Sequence, residues 1–454
     1  MNNQLFENVL AFDLDRQMSE YTFTTRLAKE NNWTRNFTNE AIIEYKKFMY
    51  LAATASAMVS PSEIVDIVWH QHLIYTKSYK KFCLLLGKKI EHIPSTHDRA
   101  EAAKFREAKE RTTQLYEQNF GEQPAHIWNF MGMYDSLELE KARLDNNSVI
   151  GLGIMFFGVL CVVGHYLLEP FYMKIQGLNF IGGYLLLAIG TLSSLYVFNK
   201  NYLKKTFDNL DKDGFIFNLH PLELIYLKRN NIQDVINGVT NQAIVNGKIG
   251  LDKDQLSLVK NRKSDSLDEY QILETLKSLG TTYYPQLLTH LVRNPLFLNI
   301  ENSMKELKSY FSKLKVFSNL FTFNFVITGA LLMLGVARLS IGVSREKPVM
   351  ILVVLLIMLI ITVAIFLGNL SMFLPSKVLI KHYSDKVSAG KMNSKNHWQW
   401  DYLLGGTAVF AASFVPIANY VTQNASSTSY GSSCGSCGSS CGGGCGGGCG
   451  GCGG

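Results

Sequence analysis

Four apolar runs limit this chain more than any other feature: Val149–Leu168, Leu178–Phe198, Val316–Ala337 and Val349–Leu370. Each is about 20 residues long with almost no charge, the length a helix needs to cross a hydrocarbon layer ~30 Å thick. Core helices of water-soluble domains are usually shorter and amphipathic. The pattern predicts an all-α multi-pass membrane protein, with the other segments placed relative to the bilayer.

The chain has 454 residues and a formal net charge of +7. Met1–Asp15 lacks a basic stretch followed by an apolar one, so insertion is expected to rely on the internal spans. Much of the positive charge flanks those spans, which reads as topology and lipid-headgroup contact. The expected order is a helical soluble domain (1–145), a two-span hairpin (149–198), a soluble insert (199–315), a second hairpin (316–370), a basic segment with an ambiguous apolar run (371–423) and a Ser/Gly/Cys tail (424–454). Lys200, Lys204 and Lys205 open the insert, Lys305, Lys308, Lys313 and Lys315 close it, and five lysines fill Lys377–Lys395. The positive-inside rule therefore places the N-terminal domain, the insert and the Lys377–Lys395 segment in the cytoplasm. Arg338, Arg345 and Lys347, between spans three and four, run against that rule. Tyr402–Val421 is long and apolar enough for a fifth span but contains Gly405, Gly406 and Pro416; otherwise it lies on the membrane or packs on the bundle. Four spans leave the tail inside and five put it outside.

In the first domain, Glu40–Met58 has helical spacing. Ser60-Pro61-Ser62-Glu63 combines an N-cap serine, a proline and a glutamate three residues after the cap. It predicts one helix from there to Gly87, with a third over Asp98–Asn119; no alternating strand pattern is visible. Helical spacing puts Asp66 and His70 on one face and turns His72 away, towards Tyr75 and Tyr79. An aspartate so placed can orient a metal-ligating or catalytic histidine. A further ligand has to come from elsewhere, and His92 and His97 are the donors after the turn at Gly87. Asp66, His70 and His92 with an open position suit Zn²⁺ or another transition metal such as Fe²⁺. The alternatives are a structural histidine–tryptophan contact and metal-free acid–base chemistry. No nucleophile–histidine pairing follows from spacing, and no phosphate-cradling loop is present.

The run Asp66–Cys83, with Trp69, His70, His72 and Tyr79, the later His92 and Pro94, and Gly121–Trp128, resembles the N-terminal module of glycine-rich domain-containing proteins. The resemblance implies a helical module over roughly residues 35–130 and supplies no mechanism. In the insert, Leu219–Leu227, Ile232–Asn246 and Lys248–Val259 read as helix, helix and hairpin, a winged-helix-like order. With Arg338…Gly342…Pro348 and the tail, this stretch resembles bacterial membrane proteins of unknown function with Gly/Cys-rich ends, which implies a bacterial plasma membrane. Lys228-Arg229-Asn230-Asn231 stands where those proteins have a double glycine. The insert's aspartates offset its lysines, so nucleic acid is not an expected partner.

Cys434, Cys437, Cys441, Cys445, Cys449 and Cys452 are separated almost wholly by glycine and serine. The tail should be disordered unless bound; its thiols suit disulfide linkage or soft-metal capture. Cys161, His165 and Glu169 share a face of span one near its interfacial end. The leading expectation is a non-enzymatic membrane scaffold or assembly factor with protein partners or self-association. The alternatives are a metal-dependent enzyme at Asp66, His70 and His92, and a metal or redox sensor using the tail.

Overall fold

A computed structural model of the chain describes residues 3–15, 19–93, 99–143, 146–210, 214–252, 254–259, 263–390, 397–420 and 451–453. In chain order the elements begin with α1 Asn3–Ala11, α2 Phe23–Asn31, α3 Arg35–Thr54, α4 Glu63–Ile74, α5 Thr76–Leu86, β1 Glu91–Ile93, α6 Arg99–Phe120 and α7 Ala125–Trp128. Two long helices follow, α8 Asn146–Tyr172 and α9 Gly177–Asp208. Next come α10 Pro221–Arg229, α11 Ile232–Val245, β2 Ile249–Asp252, β3 Gln255–Leu258, α12 Leu267–Leu279, β4 Thr282–Tyr283, α13 Tyr284–Leu291 and α14 Pro295–Ser312. The last are α15 Lys315–Ser344, α16 Met350–Gly368, α17 Leu370–Phe373, α18 Leu379–Ser388, α19 His397–Gly405 and β5 Gly451–Gly453. They form two compact units, one of Met1–Leu137, Asp211–Glu306 and Val387–Gly454, the other of Glu138–Leu210 and Leu307–Lys386.

The first unit is organised around α3, which buries Phe37, Ala41, Tyr45, Phe48, Met49 and Ala52 at helical spacing. Glu44 on the same helix is also buried, and its carboxylate is satisfied by three donors. Lys47 Nζ lies at 2.7 Å, Tyr116 Oη at 2.7 Å and Trp128 Nε1 at 2.8 Å. These bonds tie α6 and α7 to α3, since breaking one would strand a buried polar group.

The expected single helix after Ser60 is two helices, and its cap is Ser62. Ser62 accepts the Val65 N–H, while Ser60 is held by Thr112 through its own N–H and C=O. The break falls at Tyr75 (φ −85°, ψ 60°), and α5 then stops at Gly87 in the left-handed region (φ 73°), where glycine has no Cβ penalty. β1 departs from the expectation of a domain without strands. It pairs antiparallel with β5, His92 opposite Cys452, so three tail residues form a strand. The rest of the tail, 424–450 and 454, lies outside the described residues, as do 421–423, Pro94 and His97.

The insert has the helix–helix–hairpin order read from sequence. His220 caps α10 and Glu223 reaches back to the His220 N–H, a capping box. Asn230 supplies the left-handed turn (φ 58°) where a glycine was missing, since asparagine tolerates that region. β2 and β3 form the hairpin and β4 adds to β3. Arg35 joins this segment to α3: its guanidinium meets both oxygens of buried Asp268 at 3.0 and 2.8 Å, and its backbone N–H donates to Glu223 at 2.8 Å.

Tyr402–Val421 does not form a fifth span in the described residues. α19 ends at Gly405, and Gly406 adopts φ +63°. Tyr402, Phe410, Phe414 and Ala418 are buried. Tyr402 Oη donates to the Asp234 carbonyl, Ala411 N–H donates to Asn241, and Phe414 packs edge-on against Tyr284 at 5.0 Å. Its apolar side is therefore covered by the insert.

In the second unit, α8, α9, α15 and α16 are long and apolar enough to cross a membrane. Tyr184, Leu331, Leu352, Leu356 and Leu359 form the packed centre. Gly335 permits this approach, because a Cβ there would lie 2.6 Å from Leu356 and from Tyr184 Oη. Buried Asn199 and Asn324 exchange amide hydrogen bonds at 2.9 Å. The outward faces are apolar: Leu186 is 73% and Met358 65% exposed, which water would penalise and lipid would not.

Candidate metal centre

The site is assembled from α4 and β1. One helical turn separates Asp66 from His70, and His70 Nδ1 lies 3.1 Å from Asp66 Oδ2 and 2.9 Å from the Asp66 carbonyl. His92 on β1 brings Nε2 to 3.0 Å from Asp66 Oδ1. Each oxygen of one buried carboxylate thus faces a different imidazole, and the two rings stand 4.3 Å apart edge to face. One donor atom from each of the three residues lies within 4.8 Å of the others. Donors around a tetrahedral Zn²⁺ at ordinary bond lengths stand ~3.3 Å apart, so modest side-chain rotation would close the set.

Two aromatic residues position β1. The Trp69 indole N–H donates to Tyr79 Oη at 3.1 Å, and Tyr79 Oη donates to the Ile90 carbonyl at 2.6 Å. Ile90 is two residues before His92, so this chain of bonds fixes where the strand begins. Trp69, fully buried, also packs edge-on against the His92 ring at 4.5 Å.

His72 does not join the group. It is fully buried at the α4–α5 break, with Nδ1 2.8 Å from Tyr45 Oη and Nε2 3.0 Å from Ser78 Oγ. Burial, with Lys46 nearby, pushes its pKa down to about 4, so it stays neutral. Tyr79 stacks on it edge to face at 5.3 Å, whereas Tyr75 packs against Phe23.

Helical spacing pairs Asp66 with His70, and the structure brings His92, one of the two donors expected after Gly87, to the same carboxylate. The partners drawn from afar, Tyr45 and the Ile90 carbonyl, have no local signal in the sequence. Of the tail cysteines, Cys434, Cys437, Cys441, Cys445 and Cys449 lie outside the described residues. Cys452 is placed only by its backbone register with His92.

One carboxylate and two imidazoles form a donor set used for Zn²⁺ and for non-haem Fe²⁺ with open positions. The Asp66 side chain is 6% and His92 10% exposed, but His70 is 55% exposed, so the open side faces solvent. Without a metal, the same carboxylate would orient His70 as a proton acceptor.

The profile of a family described as UCP032817-like matches residues 14–113. Glycine-rich domain-containing protein 1 of Arabidopsis thaliana is 32% identical over 91 residues, 19% of this chain and 11% of that protein. Glycine-rich domain-containing protein 2 of the same plant is 30% identical over 91 residues, 19% of this chain and 12% of its own length. The matched stretch is therefore about a tenth of those relatives. No solved structure matches the chain.

Proposed function

We propose that this chain is an integral membrane protein whose N-terminal module holds a divalent transition-metal ion between Asp66, His70 and His92. The observation that carries the reading is the convergence of one buried carboxylate and two imidazoles from two separate elements. Zinc is the first expectation and ferrous iron the second, given two nitrogen donors and one oxygen donor. Trp69 and Tyr79 hold β1 in register with α4 and act as positioning residues. The solvent-facing side at His70 leaves room for a water or a further ligand.

The chain crosses a plasma membrane four times, with the N-terminal module, the insert and the tail in the cytoplasm. Support comes from the lysines flanking the spans and from the even number of helices long enough to cross among the described residues. It also comes from the docking of 397–418 on the insert, which removes the fifth run. A reducing compartment would keep the tail thiols free for metal or redox chemistry.

A second reading, a non-enzymatic scaffold or assembly factor, is favoured by the Arg35–Asp268 pair. That pair ties the winged-helix-like insert to α3 as one platform for protein partners. Metal analysis of the full chain purified in detergent separates the two. The metal reading expects about one zinc or iron per chain, lost in Asp66→Asn and in His92→Ala. Metal-free protein after growth in metal-replete medium would leave the scaffold.

A further inference from the structure

The short loops α8–α9 and α15–α16 meet in a cavity of about 520 Å³ within the second unit. Among the described residues three cations line it, Arg338, Arg345 and Lys347, and no carboxylate does; Glu346, in the same loop, is not among the lining residues. Arg338 is held in place: it donates to the Tyr172 carbonyl and, at 2.8 Å, to the Ile175 carbonyl. Its guanidinium also stacks over Phe180 at 5.2 Å and Tyr172 at 5.6 Å. A guanidinium carries five N–H groups, and the two carbonyl bonds use two of them. The first turns of α9 and α16 also border the cavity, adding N–H groups without helical partners.

Apart from Gln176, the other side chains of the wall are apolar, and part of that surface is exposed. Leu178 is 79%, Met350 74% and Ile351 65% exposed. Cations beside exposed apolar side chains, at one end of helices able to cross a membrane, fit a molecule with an anionic head and hydrocarbon tails. We infer that this cavity binds the phosphate headgroup of an anionic phospholipid, with its acyl chains along Leu178, Met350 and Ile351. Bound lipid also accounts for the basic residues in a loop that the positive-inside rule would leave poor in them: their charge serves a ligand. The inference rests on the membrane placement proposed above and is independent of the metal centre.

The test uses the full chain purified in a neutral detergent and titrated with dioctanoyl phosphatidylglycerol, dioctanoyl phosphatidylcholine or inorganic phosphate. Anionic phosphatidylglycerol should bind at least about tenfold more tightly than zwitterionic phosphatidylcholine, and inorganic phosphate weakly. Arg345→Gln with Lys347→Gln, both exposed loop positions, should weaken phosphatidylglycerol about thirtyfold from the loss of two cations, with an unchanged elution profile. Equal binding of the two lipids, or an unaffected double variant, overturns the site. Phosphate binding as tightly as phosphatidylglycerol overturns the lipid as occupant. A chain that stays monodisperse without detergent refutes the membrane placement itself, a result distinct from missing lipid selectivity.

Discussion

Tyr79→Phe removes one oxygen and leaves the ring that packs on His72. That oxygen joins the Trp69 indole N–H to the Ile90 carbonyl. Trp69 is 0% and Ile90 3% exposed, so both groups that lose their partner are buried, while Tyr79 itself is half-buried. A hydrogen bond is worth about 1 kcal/mol net and a buried group left unsatisfied costs up to ~3 kcal/mol. The two bonds together set the expected destabilisation at about 2–4 kcal/mol. Because β1 begins at this tether, His92 should lose its fixed position against Asp66. Outer residues that orient ligands are typically worth ten- to a hundredfold in metal affinity, so zinc binding should weaken by at least about tenfold. The assay is zinc titration calorimetry on the full chain in detergent, paired with thermal unfolding with and without zinc. The variant should melt earlier and gain less from zinc than the parent. Unchanged melting and affinity would show that Tyr79 does not position the strand.

Glu223 predicts a pH effect: burial pushes its carboxyl up to about 7, outweighing two backbone N–H donors and nearby Arg35. A raised folded-state value means its stabilising contribution is full below the unfolded value near 4.5 and is lost as pH rises through 7. Glu223→Gln should therefore flatten the fall in stability between those pH values, worth at most about 3 kcal/mol, in denaturation curves collected across that range; an unchanged slope would assign the dependence elsewhere. Gly238→Leu should undock the 397–418 segment, because a Cβ at 238 would already lie 2.7 Å from the Tyr402 ring. The overpacking costs about 1–3 kcal/mol and should appear as new proteolytic cleavage there, whereas unaltered protection would place the segment's anchor elsewhere.

The four long helices were legible because crossing a bilayer asks only for length and apolarity, both present in the bare string. Asp66 and His70 were legible because four residues make one helical turn, and His92 because Gly87 ends a helix and lets the chain return. The same logic failed where distant partners decide. Ser60 looks like the cap, but Thr112, 52 residues away, takes both its backbone groups and leaves the role to Ser62. The helix break at Tyr75 holds a histidine between Tyr45 and Ser78, and neither contact has a local periodic mark. The run from Tyr402 is apolar enough to be weighed as a span, yet its apolar side is covered by α11 and α13. Hydropathy counts how much apolar surface must be hidden and does not say whether lipid or protein hides it. The Arg35–Asp268 pair, 233 residues apart, belongs to the same class of contact.

The most direct measurement is X-ray absorption on the full chain loaded with one equivalent of zinc. The proposed centre predicts a first shell of nitrogen and oxygen at about 2.0–2.2 Å. It also predicts the multiple-scattering signature of two imidazoles, falling to one in His92→Ala. A shell of sulfur at about 2.3 Å would hand the metal to the cysteine tail, and a shell unchanged by His92→Ala would contradict the proposed centre.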